Sequence, residues 1–177
     1  RSAGAKSYMW VYRTGKMQEG SAIVLYEYQK TRNSSHPREF LKDYSGIVVT
    51  DGYQVYHSLE KEFEELRIAG CWSHARRRFA NVVKSLGKEK AKGTLANDAL
   101  KQIAAIYKVE GLLSELSSEE RQKQRQLTVK PLVEAFFAWV KEHQNAVLPK
   151  SETGKGFTYC LNQEKYLKVF LEDGNVP

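Results

Sequence analysis

Two hydrophobic patterns divide the chain. Up to residue 72, short runs of aromatic and β-branched residues are separated by polar or glycine-containing segments, which is typical of strands. These runs predict four strands, at residues 7–13, 22–28, 47–49 and 68–72. From His74 onward, apolar residues recur every three or four positions, the spacing of amphipathic helices. The pattern therefore predicts a small sheet followed by a mainly helical region.

The order of the predicted elements indicates how the strands are connected. A short loop with two glycines joins the first two strands, which predicts an antiparallel pair. A short helix containing Pro37 leads to the apolar run at residues 47–49, which predicts a strand buried on both faces. A helix over residues 53–65 then leads to the fourth strand. Such crossover helices imply a mixed sheet of about four strands in an α/β fold.

The helical region contains clear start and stop signals. Ser117 and Glu120 have the spacing of a capping box, which starts a helix. Pro131 is expected to kink or restart that helix. Residues 149–156 contain a proline and two glycines and predict a loop, whereas residues 157–172 predict a final helix.

Composition adds information about partners and compartment. The chain has 28 lysines and arginines against 21 aspartates and glutamates, a net charge of +7, which favours a polyanionic partner such as nucleic acid. Its two cysteines, Cys71 and Cys160, are far apart and predict reduced thiols in a cytoplasmic protein. No apolar run is long enough to span a bilayer and no secretory signal pattern is present, so a membrane role is not expected.

Asp51 is the first candidate for chemistry. It directly follows the third predicted strand, and open α/β sheets bind ligands at the carboxyl ends of their strands. Gly52 comes next, however, and Asp-Gly is a common turn dipeptide. Composition alone favours the turn, so both interpretations stay open at this stage.

A basic segment follows the fourth predicted strand. Arg76, Arg77 and Arg78, with Lys84 further along, predict a helix face that binds a phosphate backbone, although a solvated charged face is the common alternative. Cys71 and His74 have the spacing of metal ligands. One such pair is only half of a zinc site, and a buried thiol beside a hydrogen-bonded imidazole explains it equally well.

These motifs, in this order, resemble the bacterial transposases of the insertion sequence 66 family. The most specific pieces are Asp51-Gly52-Tyr53 and the Cys-Trp-x-His-x-Arg-Arg segment that begins at Cys71. The resemblance continues along essentially the whole chain. It includes residues 6–15, 71–79, 159–163 and 170–174.

The resemblance implies a ribonuclease-H-like fold of the retroviral-integrase class and a transposase of the DDE class. Such enzymes transfer DNA strands with two aspartates and a glutamate around two Mg²⁺ ions. Asp51 matches the second aspartate, which makes it the expected catalytic and metal-binding residue. The first aspartate would precede residue 1 and the glutamate would follow residue 177. The chain is therefore expected to be an inactive internal fragment with an incomplete sheet.

The resemblance also divides the chain and names partners. It implies a sheet part at residues 1–73, a helical insertion at 74–148 and a helical segment at 149–177 that leads to the catalytic helix. The expected partners are transposon-end DNA, target DNA and further copies of the protein. His74 is expected to contact phosphate or to support Asp51. The expected DNA-binding residues are His74, Arg76, Arg77, Arg78 and Lys84, with Arg121 and Arg125 as lesser candidates.

Three other functions remain open on the sequence. A non-catalytic nucleic-acid-binding module would use only the basic helix. A nuclease on the same fold would share Asp51 and the metal ions but would not join DNA ends. A helical interaction domain without chemistry would leave Asp51 as a turn residue.

Overall fold

The computed structural model describes residues 6–17 and 20–177, and these contain four strands and eight α-helices. The strands are β1 (Tyr8–Arg13), β2 (Val24–Gln29), β3 (Gly46–Thr50) and β4 (Leu66–Gly70). The helices are α1 (Ser35–Leu41), α2 (Gln54–Glu62), α3 (Trp72–Leu86), α4 (Lys88–Ala91), α5 (Leu95–Leu112), α6 (Ser118–Gln124), α7 (Lys130–His143) and α8 (Glu152–Leu167). A π-helical turn (Arg125–Val129) joins α6 to α7, and two 3₁₀ turns (Gln144–Ala146 and Val169–Leu171) follow α7 and α8.

The α/β class is confirmed, but the described strands do not form one mixed sheet. β1 pairs with β2 in antiparallel orientation, and β3 pairs with β4 in parallel orientation through the crossover helix α2. The two pairs are separate two-stranded sheets. The predicted single sheet is therefore wrong for these residues, and the ribonuclease-H-like arrangement stays a prediction.

The predicted burial of β3 on both faces is only partly correct. Ile47 packs against the main helical core, and Val48 packs against a smaller cluster around Leu59 and Ile68. Val49 is 38% exposed, whereas Ile68 and its neighbour in β4 are fully buried. Both strands are edge strands of this two-stranded sheet, so the difference comes from the helices, since α2 and α8 pack against β4.

Aromatic contacts attach the β1–β2 hairpin to the rest of the chain. The ring of Tyr12 stacks on Phe40 of α1 at a centroid distance of 3.6 Å. Trp10 is buried, and its ring lies 6.5 Å from that of Tyr53, just beyond the end of β3. These contacts place the hairpin beside the carboxyl end of β3 even though the two sheets do not pair.

Helices α3, α5, α7 and α8 surround the main hydrophobic core. Trp72 at the start of α3 is buried among aromatic rings, and its indole N–H donates to the backbone oxygen of Leu167 at 2.8 Å. The capping box at Ser117 and Glu120 is confirmed. The restart at Pro131 is also confirmed, because α7 begins at Lys130 directly after the π-helical turn.

The loop predicted at residues 149–156 is correct only up to residue 151, because α8 begins at Glu152 with Ser151 as its N-cap. Gly154 and Gly156 therefore lie inside the helix, where they allow close packing. A β-carbon at Gly154 would lie 2.1 Å from the backbone oxygen of Leu148, and one at Gly156 would lie 2.7 Å from the ring of Phe79. None of the helices in the described ranges is long and apolar enough to cross a membrane.

Buried His57 predicts a pH-dependent stability. Its side chain is 5% exposed and stacks on the Tyr166 ring at 3.9 Å. Burial lowers the pKa of His57, against weaker opposing effects of Glu60 and Gln163. The unfolded chain therefore binds this proton more readily, and the free energy of unfolding should fall as the pH drops below about 6.5.

Denaturant titrations of wild type and His57→Gln near pH 7.5 and pH 5.5 test this prediction. The variant should lose less stability between the two pH values, because its side chain does not titrate. An equal loss in both proteins would show that His57 is not the group responsible.

Candidate functional site

Asp51 makes a turn and also keeps an exposed carboxylate. Its Oδ1 accepts a hydrogen bond from the backbone N–H of Tyr53 at 3.0 Å, so the residue makes a turn. Gly52 has a φ of +86°, which favours glycine at this position. The Asp51 side chain is nevertheless exposed, and its second carboxylate oxygen has no hydrogen-bond partner among the described residues. We call residues 50–53 the Asp51 turn.

Helix α8 packs directly against the Asp51 turn. The hydroxyl of Tyr159 donates to the backbone oxygen of Asp51 at 3.0 Å. Burial raises the pKa of Tyr159 to about 12, so this hydroxyl remains a donor at neutral pH. A β-carbon on Gly52 would lie 3.0 Å from Cδ of Gln163, which shows how closely the two elements approach.

The basic helix α3 begins beside the same turn. The backbone N–H of Cys71 donates to the backbone oxygen of Thr50 at 2.9 Å, which aligns the carboxyl ends of β3 and β4. Helix α3 starts one residue later, at Trp72. The structure therefore brings Asp51 and the start of the basic helix together, as the strand order predicts.

Arg78 is the α3 cation that connects to the Asp51 turn. Its guanidinium lies 4.4 Å from the centroid of the Tyr159 ring, and the hydroxyl of that ring bonds to Asp51. An anion bound by Arg78 would therefore lie near the Asp51 turn.

Arg76 and Lys84 lie on a different flank of α3. Together with Lys88 they line an open groove of about 400 Å³ that faces α5. The floor of the groove is apolar and consists of Ala80, Val83 and Leu100. Arg77 lies on the solvent-exposed face of α3. Helix α3 contains no acidic residue, and within the described ranges Arg76, Arg77 and Lys84 form no ion pair.

Cys71 is the N-cap of α3, and His74 lies in the first turn of that helix. Both are partly buried, and Nδ1 of His74 has no hydrogen-bond partner in the part of the chain that the structure describes. The described residues contain no group of three or more histidine, cysteine, aspartate or glutamate side chains that could hold a metal ion. Among the described residues, no further side chain joins Cys71 and His74 to form a zinc site.

The same finding limits how a magnesium site could be built. A carboxylate with one free oxygen fits a single ligand position on Mg²⁺, which takes most of its other ligands from water and phosphate. Asp51 meets that requirement. A two-metal site needs further carboxylates beyond those that the described residues bring together.

Arg121 and Arg125 lie in the interior, away from α3. Four backbone oxygens accept hydrogen bonds from the Arg121 guanidinium, and Arg125 is fully buried in an ion pair with Glu110. With their donors occupied in this way, we leave both arginines out of the proposed DNA surface. The carbonyl partners of Arg121 are Leu113, Ser114, Leu116 and Gly174, and those of Arg125 are Phe170 and Asp173.

Sequence reasoning missed three residues that the structure places at these surfaces. Lys88 continues the basic groove, and its lysine-rich segment was a usable signal. Tyr159 and Gln163 contact the Asp51 turn from more than 100 positions along the chain. No local pattern could have identified that contact.

Comparisons with known proteins agree with the sequence motifs. A family model described as "Transposase IS66 family" matches residues 1–177. The chain is 29% identical over 158 residues to "Uncharacterized protein y4jD" of Sinorhizobium fredii, covering 86% of this chain and 30% of that protein. It is 27% identical over 180 residues to "Uncharacterized protein y4qI" of the same organism, covering 97% and 32%. The chain thus spans about a third of these relatives, and no solved structure matches it.

Proposed function

This chain belongs to the IS66 transposase family, and on that premise we propose that it is part of a catalytic core that cuts DNA and joins a strand to a new site. In this proposal Asp51 is a metal-binding catalytic residue and α3 binds the DNA backbone. The observation that supports it most is the position of Arg78, which connects the basic helix through Tyr159 to the backbone of the Asp51 turn.

Magnesium is the cofactor that fits this chemistry. Bound Mg²⁺ stabilises the negative charge that develops on the attacking and leaving oxygens of an in-line displacement at phosphorus. Asp51 supplies one carboxylate to this site. The other two acids of the family, an aspartate and a glutamate, come from segments outside this chain in our proposal.

The two separate sheets fit the same proposal. A strand that carries the first aspartate could enter between β1 and β3, because each of these strands pairs on one edge only within the described residues. The contact between Trp10 and Tyr53 keeps the hairpin close to the Asp51 turn. Such a strand would complete a ribonuclease-H-like sheet and would place its aspartate beside Asp51.

The proposed DNA surface is the solvent-facing side of α3. Arg76, Arg77, Arg78 and Lys84 present positive charge without a competing carboxylate on the same helix. We assign a phosphate contact next to Asp51 to His74, in the first turn of the same helix. Phosphate contacts of this kind position DNA but do not read its sequence.

Salt-dependent binding tests the DNA surface in the 177-residue chain itself. Arg77→Ala should weaken duplex binding to any sequence and should lower the slope of log K against log salt by about 0.9 for the one lost phosphate contact. Lys123→Ala is the matched control, because Lys123 is an exposed cation that pairs with Glu119 on α6. Fluorescence anisotropy from low to moderate salt measures both slopes, and equal slopes in the two variants would exclude α3 as the binding face.

Product analysis tests the enzymatic proposal. The full-length protein, with its flanking segments, is incubated with Mg²⁺ and DNA that carries a cognate transposon end. Joined products are expected from a transposase, whereas free ends without joining would indicate a nuclease. Binding without either product would indicate a non-catalytic module. The 177-residue chain alone is expected to bind DNA and to yield no joined product.

A further inference from the structure

We propose that Tyr159 and Gln163 are positioning residues that hold the Asp51 turn from α8, an inference that rests on the proposed role of Asp51. The turn needs such support, because it leaves an edge strand and contains a glycine with positive φ. Neither residue touches the Asp51 carboxylate in the described contacts. Both act on the backbone that carries it.

Tyr159 holds the turn by a hydrogen bond to the backbone carbonyl of Asp51. The hydroxyl of Tyr159 donates to the backbone oxygen of Asp51, a contact between residues 108 positions apart. That oxygen lies at the carboxyl end of β3, beyond the last ladder pair of Thr50 with Gly70. The sheet hydrogen bonds fix the backbone up to Thr50, and the Tyr159 bond fixes it at the next residue, Asp51, whose carboxylate is the proposed metal ligand.

Gln163 supports the same turn from the inside. It is 7% exposed, and its carboxamide lies so close to Gly52 that a β-carbon there would be 3.1 Å from Oε1. His57, which stacks on Tyr166, is close enough to this carboxamide for Gln163 to affect the pKa of the imidazole. Gln163 thus occupies the space beside Gly52 and opposes an inward movement of the turn.

The two contacts come from one face of α8. Residues four apart in a helix lie one above the other, so Tyr159 and Gln163 act on the turn as a unit. They fix the backbone on the interior side and leave the Asp51 carboxylate facing solvent. Arg78 rests on the same Tyr159 ring, so one side chain holds both the proposed metal ligand and the nearest DNA-binding cation in place.

A first experiment measures the turn without any catalytic assay. In the 177-residue chain, Tyr159→Phe removes only the hydroxyl and keeps the ring under Arg78. Amide hydrogen exchange of Tyr53, whose N–H bonds to Asp51, should become about threefold to tenfold faster, the range that one hydrogen bond supports.

The control for that experiment is Tyr107→Phe. The Tyr107 hydroxyl, on α5, lies 3.4 Å from that of Ser73 on α3 and does not contact the Asp51 turn, so the variant removes an equivalent hydroxyl elsewhere in the fold. Exchange at Tyr53 should stay at the wild-type rate in this control. An unchanged rate in Tyr159→Phe would overturn the proposal.

A second experiment uses strand transfer by the full-length protein. Tyr159→Phe and Gln163→Met should each raise the Mg²⁺ concentration needed for half-maximal rate by about threefold to tenfold, with the KM for DNA unchanged. A wild-type Mg²⁺ requirement in both variants, combined with an inactive Asp51→Asn, would overturn the positioning role and leave the proposed function intact. An active Asp51→Asn would instead overturn the proposed function.

Discussion

Asp51→Asn is expected to lower strand transfer by the full-length protein by at least about 1000-fold while DNA binding is retained. Metal ions stabilise such transition states by several kcal/mol, and each ~1.4 kcal/mol corresponds to a factor of ten in rate. The substitution removes the negative charge but keeps the shape of the side chain. An asparagine oxygen can still accept the hydrogen bond from Tyr53, so the turn is preserved.

Asp173→Asn provides a closely matched control. Oδ1 of Asp173 accepts a hydrogen bond from the backbone N–H of Asn175 at 2.7 Å, which is the same turn geometry at a different place in the fold. This variant should keep wild-type strand transfer. Equal activity in Asp51→Asn and Asp173→Asn would make Asp51 a turn residue without a catalytic role.

Arg125→Met is expected to lower the free energy of unfolding by about 3–5 kcal/mol, the usual cost of breaking a buried ion pair. Arg125 is fully buried, and its guanidinium bonds to Glu110 and to the backbone oxygens of Phe170 and Asp173. Methionine fills much of the volume but removes the cation that pairs with Glu110 and one donor to each of the two carbonyls. The segment after α8 should therefore be held less tightly against α5 and the π-helical turn.

Lys123→Met is the control that distinguishes the loss of the buried Arg125 ion pair from the loss of a positive charge in general. Lys123 lies nearby in the chain, and its ion pair with Glu119 is exposed, so its loss should cost less than about 1 kcal/mol. Chemical denaturation of the two variants measures the difference. Similar stabilities would show that the buried Arg125 network contributes little to the fold.

Local patterns in the sequence were sufficient to predict most elements. Aromatic and β-branched runs located all four strands, and the Ser117 capping box located the start of α6. The error at Gly154 and Gly156 has a physical reason. Glycine often marks a turn because it can adopt positive φ. In α8, however, the two glycines allow the helix to pack closely against the Leu148 backbone and the Phe79 ring, and the local sequence does not reveal these contacts.

Strand pairing and the interior arginines could not be predicted in the same way. Periodicity shows that a strand exists but not which strand lies beside it, so the separation of the two sheets carried no local signal. Arg121 and Arg125 look like surface cations in the sequence. Their partners are mostly backbone oxygens, which every residue possesses and which therefore leave no trace in the residue pattern.

The candidate site was predictable to the extent that it depends on strand ends. Because β3 and β4 are parallel, Asp51 and Cys71 had to lie at the same edge, and α3 had to begin there. The support from Tyr159 and Gln163 depends on how α8 packs across that edge. That packing is set by the whole helical core and not by any segment near Asp51.

Metal-specific rescue tests the central claim, that the Asp51 carboxylate binds a catalytic metal ion. Asp51→Cys replaces the carboxylate with a thiolate, a ligand that Mn²⁺ accepts more readily than Mg²⁺ does. Under reducing conditions, the full-length variant should be inactive in strand transfer with Mg²⁺ and should regain activity with Mn²⁺, while wild type is active with both ions. The same activity of the variant with the two ions, whether full or absent, would contradict the account.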